Sequence, residues 1–241
     1  MSGGRVDLAL RGTVFLDIVM SGLSDEPGPG REVWAERMAW VPGGIATTAV
    51  AALRLGLSVA LDATCGTDHA GTICSKFLQA EGLDPAYLTA VPSTAVTVAI
   101  GLGGDRSMIT REDRAASAPP GRRLPPARAV IGQVREERWW DPGPLALVDA
   151  NDDPTGRWDL DELAARLAGA DVFTPNRREA LAYTRAKSLP AAARRLGALV
   201  PTVVVTDGAA GAVGFDANGL VVVPGVKADA VDTTGAGDVF I

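Results

Sequence analysis

From residue 145 onward, short continuously apolar runs alternate with amphipathic stretches, and this alternation narrows the available folds more than any other feature of the chain. Leu145–Asp149, Asp171–Thr174 and Thr202–Thr206 are β-prone on both faces, whereas Asp159–Leu167, Arg177–Tyr183 and Pro190–Leu199 carry helical spacing. A strand with two apolar faces must be covered on both, and intervening helices supply that cover in a mostly parallel sheet. Ala212–Phe215 and Leu220–Val223 flank Asp216-Ala217-Asn218-Gly219 and predict a hairpin. No segment recurs with a period of 20–50 residues, so solenoids and propellers are excluded.

The first half is more strand-rich. Val6–Leu10 and Thr13–Ile18 read as strand pieces around Gly12, and Ser24–Gly30 must turn. Arg31–Val41 alternates with apolar side chains on both faces, which suits a strand covering a ligand or a second subunit. Pro42-Gly43-Gly44 opens a helix over Ile45–Leu55, Ser58–Ala63 is a buried strand, and Asp68 caps a helix that stops at Gly82. Thr94–Leu102 and Arg106–Thr110 form a second exposed pair of strands. Ala115–Pro126 reads as a loop and Ala127–Trp140 as one helix, with Trp139-Trp140 packing in a core or under a lid.

Composition excludes several functions. Of 241 residues, 47% are hydrophobic, enough to bury a core without disulfides or a structural metal. Lys+Arg 23 against Asp+Glu 29 leaves a net charge of −6, opposed to binding a phosphate backbone, so nucleic acid is not an expected partner. The only cysteines, Cys65 and Cys74, fit no zinc spacing and suit a reducing cytoplasm. The single histidine, His69, reads as an exposed first-turn residue and excludes a site needing two histidines. The longest apolar stretch, Ile45–Leu61, is broken by Thr47, Thr48, Arg54 and Gly56, so no membrane span is expected, and Met1–Leu10 has no signal-peptide pattern.

The strongest chemical signal is Asp232-Thr233-Thr234-Gly235-Ala236-Gly237-Asp238. It follows an extended stretch and predicts a helix start, where Gly-Ala-Gly leaves backbone N–H groups open to an anion. A carboxylate beside an anion cradle would be repelled by a resident phosphate unless it accepts a proton during transfer. Asp238 is therefore a candidate base and Gly235, Ala236 and Gly237 a candidate anion hole.

This run resembles the C-terminal signature of the ribokinase-like, or PfkB, carbohydrate kinases, and other features stand in the family's order. Gly12 with Asp17 resembles its first strand and substrate aspartate, and Gly43-Gly44 its di-glycine before the first long helix. Gly66-Thr67-Asp68-His69-Ala70-Gly71 resembles its Gly-x-Asp-x-x-Gly turn. Asn176-Arg177-Arg178-Glu179 matches Asn-x-x-Glu, and Val203–Gly211 resembles the strand and Thr-x-Gly nucleotide loop.

The resemblance implies an α/β sandwich with a mostly parallel central sheet and a small β lid. Residues 1–12, 42–93 and 111–241 would form the core and 13–41 with 94–110 the lid, and the family fold would continue past Ile241. It implies transfer of the ATP γ-phosphoryl group to a hydroxymethyl group of a sugar or sugar-like substrate. A nucleoside kinase and a non-catalytic binding relative are the alternatives. Asp17, Gly43 and Gly44 would bind the acceptor, and Thr206, Gly208 and Gly211 the nucleotide. Asn176 and Glu179 would organise Mg²⁺, although Asn-x-x-Glu also satisfies the helix capping-box rule. Asp232 and the Thr234 carbonyl resemble part of a K⁺ site, and the lid would clasp a second copy in a homodimer.

Departures accompany the resemblance. Thr48 stands where many members have Asn, Phe15 where ribose kinases carry a polar residue, and Asp149-Ala150-Asn151 lacks the Arg that usually follows. A phenyl ring cannot hydrogen-bond a sugar hydroxyl, which counts against ribose itself.

Overall fold

A computed structural model describes residues 4–84, 88–102, 105–113, 121, 123–135, 138–153, 155–228 and 233–241. The chain divides into two compact units, residues 1–9 with 126–229 and 241, and residues 10–125 with 230–240.

The first unit is the alternating half. Its strands are β7 (Ala127–Gln133), β8 (Leu145–Asp149), β9 (Val172–Thr174), β10 (Thr202–Thr206), β11 (Gly211–Asp216) and β12 (Gly219–Pro224). They lie side by side in sequence order, with the first residues of β1 (Val6–Leu23) beyond β7. Pairings β7–β8, β8–β9 and β9–β10 are parallel; β10–β11–β12 is the expected antiparallel meander. Helices α3 (Leu160–Arg166), α4 (Arg177–Thr184) and α5 (Leu189–Leu196) bury Leu163, Ala180, Ala192, Ala193 and Leu196. Val148, Phe173, Val203 and Val205 are the strand contribution to that core.

One expectation fails here. Residues 127–140 hold a strand, Ala127–Gln133, not a helix. Val130 and Ile131 are β-branched, Gly132 is a poor helix former, and parallel pairing with β8 buries the first two of these. Trp140 is core, as expected, lying so close over Gly132 that a Cβ there would meet its ring at 2.5 Å.

In the second unit, β1 runs on to Leu23 as one strand, without the interruption predicted at the now buried Gly12. Beside it stand β3 (Val59–Gly66) and then β4 (Leu88–Val91), with α1 (Ile45–Arg54) and α2 (His69–Ala80) packed on β3. Arg11 Nε reaches the fully buried Asp62 across β1 and β3 at 2.8 Å. The far part of β1 pairs antiparallel with β2 (Ala35–Gly44) and parallel with β5 (Ala95–Leu102), which pairs antiparallel with β6 (Asp105–Arg111). The two exposed strand regions of the sequence are thus one sheet, in the order β2-β1-β5-β6.

His69 is exposed at the first turn of α2, as predicted, and Cys65 and Cys74 are free and buried. No helix among the described residues is long and apolar enough to cross a membrane. The predicted loop at 115–126 lies largely outside the described residues.

Candidate active site

Strand pairing in the second unit puts Val41, Asp17, Thr97 and Thr110 in one row across four strands, hence on one face of that sheet. Thr97 Oγ1 and Thr110 Oγ1 share a hydrogen bond of 3.1 Å. Phe15 follows two residues before Asp17, on the same face, opposite Gly43. The Asp17 carboxylate lies directly over Gly43, where a Cβ would fall 2.0 Å from Oδ2. Only glycine permits that approach. Gly44, at φ 61°, then turns the chain from β2 into α1.

Thr47, in the first turn of α1, connects this group to the final signature. A Cβ built on Gly235 would stand 2.9 Å from Thr47 Cγ2 and 3.8 Å from Asp238 Oδ2. Gly235 adopts φ +75°, a conformation that L side chains rarely take, and α6 (Ala236–Phe240) begins immediately after it. α6 packs on α1. The substrate aspartate and the candidate base thus both stand at the first turn of α1.

The left-handed Gly235 also bends the next amide back, so Ala236 N–H donates to Thr233 O at 3.2 Å, and Val239 N–H donates to Gly235 O at 3.0 Å. The expectation of three outward N–H groups from Gly235, Ala236 and Gly237 is corrected at Ala236, whose donor closes a turn. Thr234 is half-buried, and Asp232 lies outside the described residues.

The first unit gathers the other predicted residues along the carboxyl ends of its parallel strands, where open α/β sheets bind ligands. Asn176 bridges Thr206. Asp149 is level with Thr174, so the same register carries Asn151 level with Asn176. Asn176 is the N-cap of α4 in a full capping box: its Oδ1 accepts from Glu179 N at 3.0 Å, and Glu179 Oε2 accepts from Asn176 N at 2.8 Å. Burial pushes the Glu179 carboxyl up, and the Asn176 hydrogen bond and the Arg178 charge only partly offset that.

Ion pairs brace this end. Arg178 Nη2 meets Asp152 Oδ1 at 2.6 Å, and Arg177 Nη1 meets Asp207 Oδ2 at 2.6 Å. Thr206 N–H donates to Pro175 O and Asp207 N–H to Gly211 O, which folds Gly208–Ala210 into one 3₁₀ turn closed by Gly211 at φ +105°. The side-chain oxygen Oδ1 of Asn151 is buried without a hydrogen-bond partner.

Residues 146–241 match the model of the pfkB family carbohydrate kinases. Over 254 aligned residues the chain is 28% identical to a ribokinase of Bacillus subtilis (strain 168), covering 97% of this chain and 83% of that protein. The chain is homologous to the pfkB/ribokinase kinases. The fold of this pfkB homologue is similar to that of a putative ribokinase from Agrobacterium tumefaciens, with a TM-score of 0.80 at 22% identity over 98% of this chain and 82% of that one. It is also similar to a putative ribokinase II from E. coli solved in complex with ATP and Mg²⁺, with a TM-score of 0.75 at 20% identity over 98% and 83%. The ribokinase-like α/β fold class expected from the sequence is therefore the one found.

Within this homologue, the predicted residues fall into two groups: Asp17, Gly43, Gly44, Gly235 and Asp238 in one unit, and Asn176, Glu179, Thr206, Gly208 and Gly211 in the other. Sequence reasoning missed Thr47 and Thr97 as site residues. Thr97 shares the alternation of Thr94–Leu102, but its place beside Asp17 depends on a pairing register that one sequence does not encode visibly.

Proposed function

We propose that this pfkB homologue is an ATP-dependent phosphotransferase that phosphorylates a hydroxymethyl group of a sugar or sugar-like acceptor. The observation that carries the reading is the meeting of Asp17 over Gly43 and of Gly235 with Asp238 against Thr47, all at the entry of α1. A diol clamp and a proton acceptor around one helix start suit an acceptor held by its hydroxyls beside the group that deprotonates it.

In this reading Asp17 accepts hydrogen bonds from two acceptor hydroxyls, and Phe15 supplies an apolar wall beside them. Asp238 takes the proton of the attacking hydroxyl. The N–H groups of Gly235 and Gly237 face the transferring phosphoryl group, joined by that of Ala236 if its turn to Thr233 opens. Thr206, Gly208 and Gly211 shape the nucleotide loop, and Arg177, through Asp207, holds that loop to α4. Residues 13–41 and 94–110 act as a lid over the acceptor.

ATP and Mg²⁺ as ligands are supported by the E. coli relative solved with both. The donor set of the first unit fits a hard cation: Asn176 and Glu179 are oxygen donors, and a buried carboxylate gains from a nearby positive charge. Mg²⁺ bound with ATP supplies neutralisation of the phosphate charge. Asn176 and Glu179 would hold its waters while their capping box fixes the start of α4. K⁺ at Asp232 and the Thr234 carbonyl is carried over on the signature alone, and K⁺ dependence of turnover tests it.

The exposed apolar side chains on the lid support a second copy of the chain as partner. A nucleoside is the second acceptor class, favoured by the phenyl ring of Phe15. Asp238→Asn is the decisive variant: turnover with a panel of sugars and nucleosides should fall by about 10²–10⁴, with ADP affinity unchanged. Near-normal turnover would remove Asp238 as the base.

A further inference from the structure

We propose that Asn151 completes the divalent-cation site of the first unit, its Oδ1 accepting a hydrogen bond from a water in the hydration shell of Mg²⁺. The proposal rests on the reading above, that Asn176 and Glu179 organise Mg²⁺ with the nucleotide.

The starting observation is an amide oxygen buried with no donor. Such atoms are uncommon in folded proteins because burial removes water without replacing its hydrogen bond. The position of this one is specific. The β8–β9 register brings Asn151 level with Asn176, and Asn176 is itself bridged to Thr206, so the three stand in one row at the carboxyl ends of parallel strands. The Asp152–Arg178 ion pair keeps the chain after β8 beside the first turn of α4.

Donors from the protein are already committed at this place. The N–H groups of Asn176 and Glu179 are taken up by the capping box, and the Arg178 guanidinium is on Asp152. What surrounds Asn151 is chiefly a set of acceptors: the Glu179 and Asp152 carboxylates and the Asn176 amide oxygen. An acceptor among acceptors is satisfied by a donor that also carries positive charge. A hydrated hard cation is such a donor, and Mg²⁺ typically keeps several of its waters when a protein supplies only one or two ligands. A bare phosphate has no hydrogen to give and would be repelled by these carboxylates. Asn151 is therefore a positioning residue for the hydrated ion, and the strand-end motif Asp149-Ala150-Asn151 serves this purpose without the arginine that usually follows it.

Calorimetric titration with ADP, in EDTA and in excess Mg²⁺, tests this without reference to turnover. Wild type should gain affinity with Mg²⁺. Asn151→Leu should keep the EDTA affinity within about twofold and lose about tenfold of the Mg²⁺-dependent gain, the scale at which outer-sphere partners act. Asn151→Asp, which keeps an acceptor oxygen and adds charge, should retain or increase the gain. The melting temperature of ligand-free Asn151→Leu should not fall, since the change removes an unpaired polar atom. An undiminished gain in Asn151→Leu would overturn the role of Asn151 alone; absence of any gain in wild type would overturn the Mg²⁺–nucleotide reading with it. If Asn151→Leu does not fold, Asn151→Ala gives the same comparison.

Discussion

The carboxylate of Asp17 occupies the space that a side chain on Gly43 would need, with Oδ2 only 2.0 Å from the position of a Cβ. Two residues on neighbouring strands, paired to within two positions of each other, thereby fix where the acceptor clamp points. Asp17 is short and its strand is paired on both sides, so an added methyl group cannot be absorbed without moving the carboxylate.

Gly43→Ala should accordingly act on the acceptor and not on the nucleotide. Losing one charged hydrogen-bonding group costs about 1.5–3 kcal/mol, which corresponds to roughly a 10- to 100-fold rise in acceptor KM. ADP affinity should be unchanged within about twofold. Steady-state kinetics with the acceptor varied, beside an ADP titration, would check the separation; equal loss in both would mean that the substitution disturbs more than Asp17.

A second relationship anchors the lid sheet. Asp68 caps α2 by accepting from Gly71 N–H at 2.9 Å, and it also accepts from Thr94 Oγ1 and Thr94 N–H at 2.5 and 3.0 Å, immediately before β5. Partial burial works against ionisation, but these hydrogen bonds outweigh it and hold the Asp68 carboxyl below its usual range. A folded-state pKa below the unfolded one gives stability that is present above about pH 3.8 and is lost as pH falls through the folded value. Asp68→Ala should cost about 1–3 kcal/mol at pH 7 and flatten the acid limb of the unfolding curve. Melting temperatures from pH 7 down to pH 3 would measure both, and a wild-type acid limb surviving in the variant would assign it to another carboxyl.

Much of this architecture was legible in the residues, because apolar runs and helical spacing in the second half translate directly into strands and helices. Ala127–Trp140 was not. Alanine and arginine at its start suggest helix, and only the partner strand β8 makes Val130 and Ile131 worth burying in an extended form. The motif residues of the site were likewise readable as motifs, whereas their assembly was not. Nothing in the sequence places Thr47 against Gly235, since that contact depends on α6 packing on α1 from 190 residues away. Asn176 and Glu179 illustrate a different limit: Asn-x-x-Glu encodes both a capping box and a cation site, and the structure exhibits the capping box in full.

Those two roles of Glu179 can be separated by pH and by an isosteric variant. Burial raises its carboxyl above the ordinary range, so its favourable contribution is fully present below about pH 4.5 and is lost as pH rises through the folded value. At neutral pH the ionised form is held in the fold at a cost. Glu179→Gln keeps an oxygen that can accept from Asn176 N–H and removes that cost, so the ligand-free protein should be as stable at pH 7 or more so, with less pH dependence. The Mg²⁺ concentration for half-maximal turnover should rise about tenfold. A large drop in melting temperature together with an unchanged Mg²⁺ requirement would reduce Glu179 to its capping role.

The lid sheet carries its own consequence. Opposite residues share a face, so the face away from Asp17 presents Trp40, Ile18, Val98 and Ile109 in one row and Met38, Met20 and Ile100 in the next. Trp40 is 49% exposed, Met38 59% and Ile109 70%, and Trp34 further along β2 is 71% exposed. Contiguous apolar surface of this kind marks an interaction site, and a self-complementary patch on one face suits a two-fold dimer. Light scattering at micromolar concentration should give twice the mass of the chain. Trp40→Glu, which puts a charge at the centre of the patch without touching the Asp17 face, should halve that mass while leaving ADP affinity unchanged. A wild-type protein that sediments as a monomer at all concentrations tested would leave the lid as a cover for the acceptor alone.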